Sequence, residues 1–218
     1  MKKYDRFIHT RIIDNRKIAP ASYILSFEKQ HDFFPGQVIY LSFINSEIKR
    51  IYSIASGINQ NTVEILYKVN PDGKLTPSLA ELMPGDNLMV SQPFGNFRIE
   101  PGPGICIANG TGIAPFASMF FSGFYQDKII IHGSRYYSEF YYNNYFSEIQ
   151  EKYIKCCSGE LIDGTFYGRV TEYLRNDFDY PKEYKYYLCG SAEMVVEVRD
   201  ILIEHGISIN NIVTEIYF

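Results

Sequence analysis

The hydrophobic period of the chain changes near residue 100, and this limits its possible folds more than any other feature. Up to about residue 99, runs of four to eight residues rich in β-branched and aromatic types alternate with turn signals. The runs are 22–27, 37–44, 62–69 and 87–91; Phe34-Pro35-Gly36, Ser56-Gly57, Pro71-Asp72-Gly73 and Pro84-Gly85-Asp86 separate them. Within 62–69, Val63, Ile65, Tyr67 and Val69 fall on one face and Glu64 and Lys68 on the other, as in a half-buried antiparallel strand. Several such strands predict a sandwich or barrel. After Pro101-Gly102-Pro103-Gly104 the pattern switches. Residues 105–108 read as a short buried strand, followed by Gly110-Thr111-Gly112 and a helical stretch to about Phe124. Strands are expected at 128–132 and 185–189, and helices at 138–153 and 191–205, the last ending on Gly206. Strand alternating with helix predicts a parallel sheet with crossovers. The expected fold is therefore two-domain: an N-terminal antiparallel β-barrel over 1–100, then an α/β parallel-sheet, Rossmann-like domain over 101–218.

Composition removes several classes of function. The 218 residues carry 21 Lys+Arg against 25 Asp+Glu and are 46% hydrophobic, enough for a core and without the basic bias of a nucleic-acid binder. No apolar segment follows the charged Met1-Lys2-Lys3-Tyr4-Asp5-Arg6, and the least polar stretch, 104–121, is broken by Asn109, Thr111, Pro115 and Ser118. Neither a secretory signal nor a membrane span is expected. Four cysteines, with Cys156 and Cys157 adjacent, form no framework of spaced pairs, and neither Cys-x-x-Cys nor paired histidines occur. A cytoplasmic protein without a metal site is expected. With no coiled-coil or repeat pattern, a monomer is expected.

Five motifs carry chemistry. Arg50-Ile51-Tyr52-Ser53 combines a phosphate fork, a flat aromatic face and a hydroxyl; taken alone it is more often a surface arginine beside a packed tyrosine. Pro71-Asp72-Gly73-Lys74-Leu75-Thr76 is a turn feeding a short helix, where free N–H groups suit a diphosphate or simply begin a helix. Asn109-Gly110-Thr111-Gly112-Ile113-Ala114-Pro115 directly follows a strand, the placement that lets backbone approach a pyrophosphate. Leu188-Cys189-Gly190-Ser191 ends the third α/β strand, where open parallel sheets bind ligands, although a small buried cysteine also packs well there. Finally, Thr214-Glu215-Ile216-Tyr217-Phe218 alternates like a last strand ending on two aromatics.

In this order, over roughly 20–218, the five motifs resemble the ferredoxin–NADP⁺ reductase family, and within it the bacterial ferredoxin/flavodoxin reductases that use FAD. The resemblance implies that Arg50 holds the FAD pyrophosphate, Tyr52 packs on the flavin and Ser53 hydrogen-bonds near its N5. Ile51 and backbone groups of Tyr67, Lys68, Val69, Lys74, Leu75 and Thr76 would line the rest of the FAD site. Gly110, Thr111 and Gly112 would cradle the phosphates of NADP(H), Thr111 also lying near the flavin. Cys189 would sit near the nicotinamide ring, Gly190 and Met194 would belong to the NADP site, and Glu215 would bond to Ser53. Tyr217 would stack on the flavin and Phe218 would cover the adenine of FAD. Ser53, Cys189, Glu215 and Tyr217 are thus the expected catalytic group.

The adenosine 2′-phosphate would fall to Ser134, Arg135 and Arg169. Arg135 lies 25 positions after Gly110, and no acidic residue stands at that strand tip. The family branch usually carries a Ser-Arg pair where this chain has Ser158-Gly159. The implied activity is hydride exchange between NADP(H) and FAD, with single electrons passed to ferredoxin or flavodoxin. Lys2, Lys3, Arg6, Arg11, Arg16 and Lys17 form either a basic edge for such an acidic carrier or, equally well, a solvated N-terminal face. The alternatives are an NAD(P)H-dependent flavin reductase and a reductase subunit of a larger electron-transfer system.

Overall fold

The computed structural model describes residues 7–217. The basic edge expected at Lys2, Lys3 and Arg6, and the terminal Phe218, lie outside the described residues. Two compact units emerge: one of 7–99 with Ala114–Ser122, the other of Glu100–Ile113 with 123–217.

The first unit contains β1 (Phe7–Ala19), β2 (Ser22–Glu28), β3 (Val38–Ser42), β4 (Lys49–Ser53), β5 (Thr62–Lys68), a short helix α1 (Thr76–Ala80) and β6 (Asn87–Ser91). All pairings are antiparallel, in the order β4-β3-β6-β1-β2-β5. An Ile54–Ile65 bridge and the Ala55 N–H donating to the Glu64 carbonyl at 2.8 Å join the outer strands, closing the sheet into a barrel. Closure removes the unpaired edges that an open sheet exposes.

β1 is a strand the sequence reading did not assign. It pairs with β6 from Phe7 to Arg11 and with β2 from Ile12 to Ala19, its register shifting between Ile12 and Asp14. Such an irregularity bends a strand, letting one element serve both halves of a barrel. Only Thr10, Ile12 and Ala19 of β1 are buried, so its alternation is masked by Arg11, Asp14, Arg16 and Lys17. Leu25, Leu41, Ile54, Ile65, Leu79 and Leu88 are fully buried at the barrel centre. Each contributes about 1.5–3 kcal/mol of burial free energy.

One polar side chain ties α1 to the barrel. Asn15 donates to the Leu79 carbonyl at 2.8 Å and the Leu82 carbonyl at 3.0 Å, and accepts from the Tyr67 hydroxyl at 3.0 Å.

Helix α2 (Ala114–Phe121) also packs on this unit. The Ser118 hydroxyl donates to the Ser56 carbonyl at 2.7 Å, and the Ile58 N–H donates to the Ser122 hydroxyl at 3.1 Å. A Cβ on Gly57 would stand 2.5 Å from the Phe121 carbonyl oxygen, so only glycine permits this approach.

The second unit is a six-stranded parallel sheet: β7 (Gly104–Asn109), β8 (Lys128–Ser134), β9 (Tyr153–Cys157), β10 (Phe166–Tyr167), β11 (Lys185–Ser191) and β12 (Ile212–Tyr217). Its order is β10-β9-β8-β7-β11-β12, so strand order reverses between β7 and β11. Helices α3 (Asn143–Phe146), α4 (Val170–Asp177) and α5 (Ala192–Glu204) and several 3₁₀ turns connect the strands. Ile105, Cys106, Ile107 and Ala108 are fully buried, as expected of a central strand covered on both faces. At the other end of the sheet, the buried Lys128 ammonium donates to the carbonyls of Glu100 at 2.8 Å and of Gly102, holding the entry to β7.

The continuous helix expected over 138–153 is not formed. A 3₁₀ turn at Tyr137–Glu139, the four-residue α3 and a 3₁₀ stretch at Ser147–Lys152 replace it, and Tyr153 opens β9. Tyr142 at φ +60° and Gln150 at φ +49° interrupt it with left-handed backbone. Helix α4 and strands β9 and β10 had no sequence assignment.

Substituting Asn15→Ala removes three hydrogen bonds at once, two to carbonyls of the α1 turn and one from the Tyr67 hydroxyl. Urea unfolding should show a loss of about 2–4 kcal/mol. A loss below about 0.5 kcal/mol would mean that α1 is held by Leu79 and its neighbours alone.

Candidate functional site

A cavity of about 380 Å³ opens at the carboxyl ends of β7, β8 and β11, where the strand order reverses. Asn109 and Gly110 bring β7 to it, Ser134 and Arg135 bring β8, Ser191 brings β11, and Met194 lies in the first turn of α5. Arg169, the residue before α4, completes the rim. Five predicted dinucleotide residues thus share one cavity: Gly110, Ser134, Arg135, Arg169 and Met194. Thr111, Gly112, Cys189 and Gly190 do not line it. Gly112 instead packs so tightly on β11 that a Cβ would overlap the Cys189 carbonyl.

Asn109 laces the two central strands together. Its amide donates to the Ser191 hydroxyl at 3.0 Å and its oxygen accepts the Ser191 N–H at 2.9 Å. Ser191 in turn caps α5, its hydroxyl accepting the Met194 N–H at 3.4 Å. A Cβ on Gly190, at φ +151°, would overlap the Asn109 oxygen. Gly110, at φ +52°, has open space where a Cβ would stand. Bare backbone at the rim of a cavity, beside the start of a helix, is the form that a dinucleotide's phosphates require. The residues present fit that group.

His132, outside the cavity lining, holds the rim at Gly110 and was not singled out in the sequence. It is fully buried in β8, with Nε2 at 3.3 Å from the Gly110 carbonyl and Nδ1 at 3.1 Å from the Tyr153 hydroxyl. Burial pushes its pKa down to about 3, against the hydrogen bond to Gly110. The available signal was a polar residue closing the apolar run Ile129-Ile130-Ile131-His132 of a strand.

The cavity's charge is mixed. Glu139, which the sequence reading did not single out, lines it and accepts from the Ser134 hydroxyl at 3.4 Å. Arg169 pairs with Glu193 at 3.5 Å, both side chains well exposed, so the pairing is weak. Gly159 donates its N–H to the Arg135 carbonyl at 2.8 Å, and a Cβ there would stand 2.5 Å from that same oxygen. The chain runs too close to Arg135 for any side chain at 159.

On β12, Glu215 pairs in register with Cys189 and Tyr217 with Ser191. Burial pushes the Cys189 thiol up, opposed by a hydrogen bond from Tyr217, and burial also raises the Glu215 carboxyl. Tyr217 and Glu215 therefore converge on the end of β11 at Cys189.

In the barrel unit, Arg50 is exposed at the end of β4, Tyr52 is half-buried and Ser53 is buried. Burial raises the Tyr52 phenol to about 12, and the Arg50 guanidinium opposes the shift. The Tyr52 ring meets Tyr67 edge-on at 6.5 Å, and Tyr67 stacks on Tyr23 at 5.4 Å. The Tyr67 side chain is thus committed to the core. The Val69 N–H donates to the Ala21 carbonyl at 2.7 Å. Leu75 is buried, Lys74 is exposed, and the Thr76 hydroxyl closes the turn on Asn70. Leu75, the residue before α1, has no side chain that can cap its first turn. Exposed guanidinium, half-buried phenol and backbone at a helix start are a donor set that fits a flavin dinucleotide.

Barrel, parallel sheet and cavity together describe a two-domain flavoprotein oxidoreductase. An oxidoreductase FAD-binding domain model matches residues 9–99 and an oxidoreductase NAD-binding domain model matches 106–200. The chain belongs to the ferredoxin–NADP⁺ reductase family, with FAD and NAD(P) as its cofactors. It is 28% identical over 210 residues to a ferredoxin–NADP reductase of Pseudomonas aeruginosa, covering 82% of this chain and 81% of that one. Reductase component 1 of terephthalate 1,2-dioxygenase from Comamonas sp. is 26% identical over 204 residues, 87% of this chain and 60% of that protein. The fold matches a ferredoxin NADP⁺ reductase from Neisseria gonorrhoeae, solved with bound FAD and NADP, at TM-score 0.89 and 20% identity, covering 97% of this chain and 99% of that one. The chain spans 52% of one curated relative and 57% of another, so parts of those proteins have no counterpart here. Among the described residues, no helix is long and apolar enough to cross a membrane.

Unfolded, His132 takes up a proton below its ordinary pKa near 6.5; folded, it stays neutral down to about 3. The folded pKa is depressed, so its contribution is complete above pH 6.5 and is lost as pH falls through that window. Urea titrations should show stability dropping by up to about 1.4 kcal/mol per pH unit below pH 6.5 through this group. Replacing His132 with Gln should flatten that slope.

Proposed function

We propose that this chain is a ferredoxin/flavodoxin–NADP⁺ reductase, exchanging a hydride between NADP(H) and flavin and single electrons with a small acidic carrier. The observation that carries the reading is the cavity at the β7/β11 reversal, which Ser134, Arg135, Arg169 and Gly110 line together. Residues 1–100 are the FAD-holding domain in this reading, and 101–218 the dinucleotide-holding domain. The bound flavin supplies the conversion between a two-electron hydride and single electrons.

The chain's own residues bind and orient. Arg50 holds the FAD pyrophosphate as a bidentate fork, Tyr52 packs on the flavin ring and Ser53 offers a hydroxyl near N5. Ile51, Lys68, Val69, Lys74, Leu75 and Thr76 complete that site through backbone groups. Gly110, Thr111 and Gly112 receive the dinucleotide phosphates, while Arg135 and Arg169 take the 2′-phosphate. Glu215, its carboxyl raised by burial, lies in register with Cys189. Tyr217 shields the end of β11 from water and must move aside for the nicotinamide, and Phe218 is assigned to the adenine of FAD. A cytoplasmic monomer with ferredoxin or flavodoxin as carrier completes the reading.

A second reading is favoured by specific observations. Relatives include reductase components of dioxygenase systems, and Gly159 leaves the 2′ end of the cavity one arginine short. An NADH-using reductase of a larger electron-transfer system accommodates both.

The visible spectrum of the purified protein, followed by stopped-flow bleaching with NADPH and with NADH, decides between them. A retained flavin bleached at least tenfold faster by NADPH supports the first reading. Equal or faster bleaching by NADH transfers the assignment to the second, and a colourless protein that binds flavin weakly points to a flavin reductase.

The Gly159 backbone predicts a further result. Gly159→Ala should lower stability by about 1–3 kcal/mol and leave the NADPH-to-NADH ratio unimproved, because the added Cβ meets the Arg135 carbonyl. Thermal melts and the same bleaching rates check it; an unchanged melting temperature would show that the 135–159 contact can relax.

A further inference from the structure

The buried polar cluster behind the cavity has no place in the chemistry above. His132 is fully buried, and burying an imidazole in an apolar sheet costs free energy unless both ring nitrogens are satisfied. Both are. The Gly110 carbonyl can only accept, so Nε2 carries the hydrogen; Nδ1 then accepts, and the Tyr153 hydroxyl is its donor. Phe140 packs edge-on against the ring at 5.1 Å, so the imidazole is held in plane as well as in tautomer.

The bond lands on the peptide that matters most for a phosphate. No cis peptide occurs among the described residues, and in a trans peptide the carbonyl and the following N–H point in opposite directions. Drawing the Gly110 carbonyl back toward His132 turns the Thr111 N–H away from the sheet. Gly110 has the positive φ of +52° that this turn needs, and its own Cα face is open to the cavity.

We propose that His132 is a positioning residue for the dinucleotide: by donating Nε2–H to the Gly110 carbonyl it holds the Thr111 N–H outward to meet the pyrophosphate, with Tyr153 fixing the tautomer. This rests on the reading that Gly110-Thr111-Gly112 receives the phosphates of NAD(P). His132 touches no reacting atom, so its removal acts on binding and not on the transfer step.

The test uses the FAD-loaded full chain and three variants. His132→Leu keeps the approximate bulk and removes the donor, His132→Gln restores an N–H at nearly the same reach, and Tyr153→Phe leaves the ring but removes the tautomer lock. Calorimetric titration with NADP⁺ and NAD⁺ gives Kd, and steady-state rates give KM and kcat. His132→Leu should weaken binding and raise KM about tenfold, with kcat and flavin content unchanged. His132→Gln should recover most of that loss, and Tyr153→Phe should cost about threefold.

A purely structural role would lower the melting temperature of His132→Leu without moving Kd, and that outcome overturns the proposal. So does a Gln variant as weak as the Leu variant. If His132→Leu does not fold, wild-type affinity in Tyr153→Phe overturns it equally. Wild-type protein that binds neither NADP⁺ nor NAD⁺ would overturn the underlying functional reading, and this inference with it. Binding by wild type with no change in any variant overturns the inference alone.

Discussion

The pairing of β7 with β11 is the constraint on which the second unit depends. Its register sets Ala108 against Cys189, and the strand order reverses there, so the loops leaving the two strands diverge and open a crevice. Gly112 meets the Cys189 carbonyl because no Cβ intervenes, and Asn109 bonds to both the backbone and the hydroxyl of Ser191. Changing that spacing would separate the glycine turn from the start of α5, the two walls of the cavity.

Both units use a polar strand side chain in the same way. Asn15 in the barrel and His132 in the sheet each reach out of a strand to grip backbone carbonyls of a neighbouring turn or helix. An apolar residue would fill either position at lower desolvation cost but could not orient a peptide. The hydrogen bonds are worth about 1 kcal/mol each, and their greater effect is to select one geometry for the segment they hold.

Legibility of the fold followed burial. Strand β7 and helix α5 were readable because their apolar residues keep one period with no charge on the buried face. Strand β6 was read to its ends. Strand β1 was not, because it is half-exposed and irregular and its few buried residues are spaced by charges. The segment 138–153 misled because Ser-Glu-Ile-Gln-Glu-Lys favours helix locally, while Tyr142 and Gln150 adopt left-handed backbone that only the surrounding packing can impose.

At the site, residue types that must meet a phosphate or an aromatic ring announced themselves: the glycine turn, Arg50-Ile51-Tyr52-Ser53, Arg135 and Arg169. Local chemistry at short spacing is written along the chain, and the sequence by itself determined these motifs, the switch from barrel to parallel sheet and the family. Tertiary structure alone decided the rest. It brought Glu139 and Arg169, 30 positions apart, to one rim, placed His132 behind Gly110, and left no room for a side chain at Gly159. Those relations depend on distances between strands that are neighbours only in space, and no one-dimensional period encodes them.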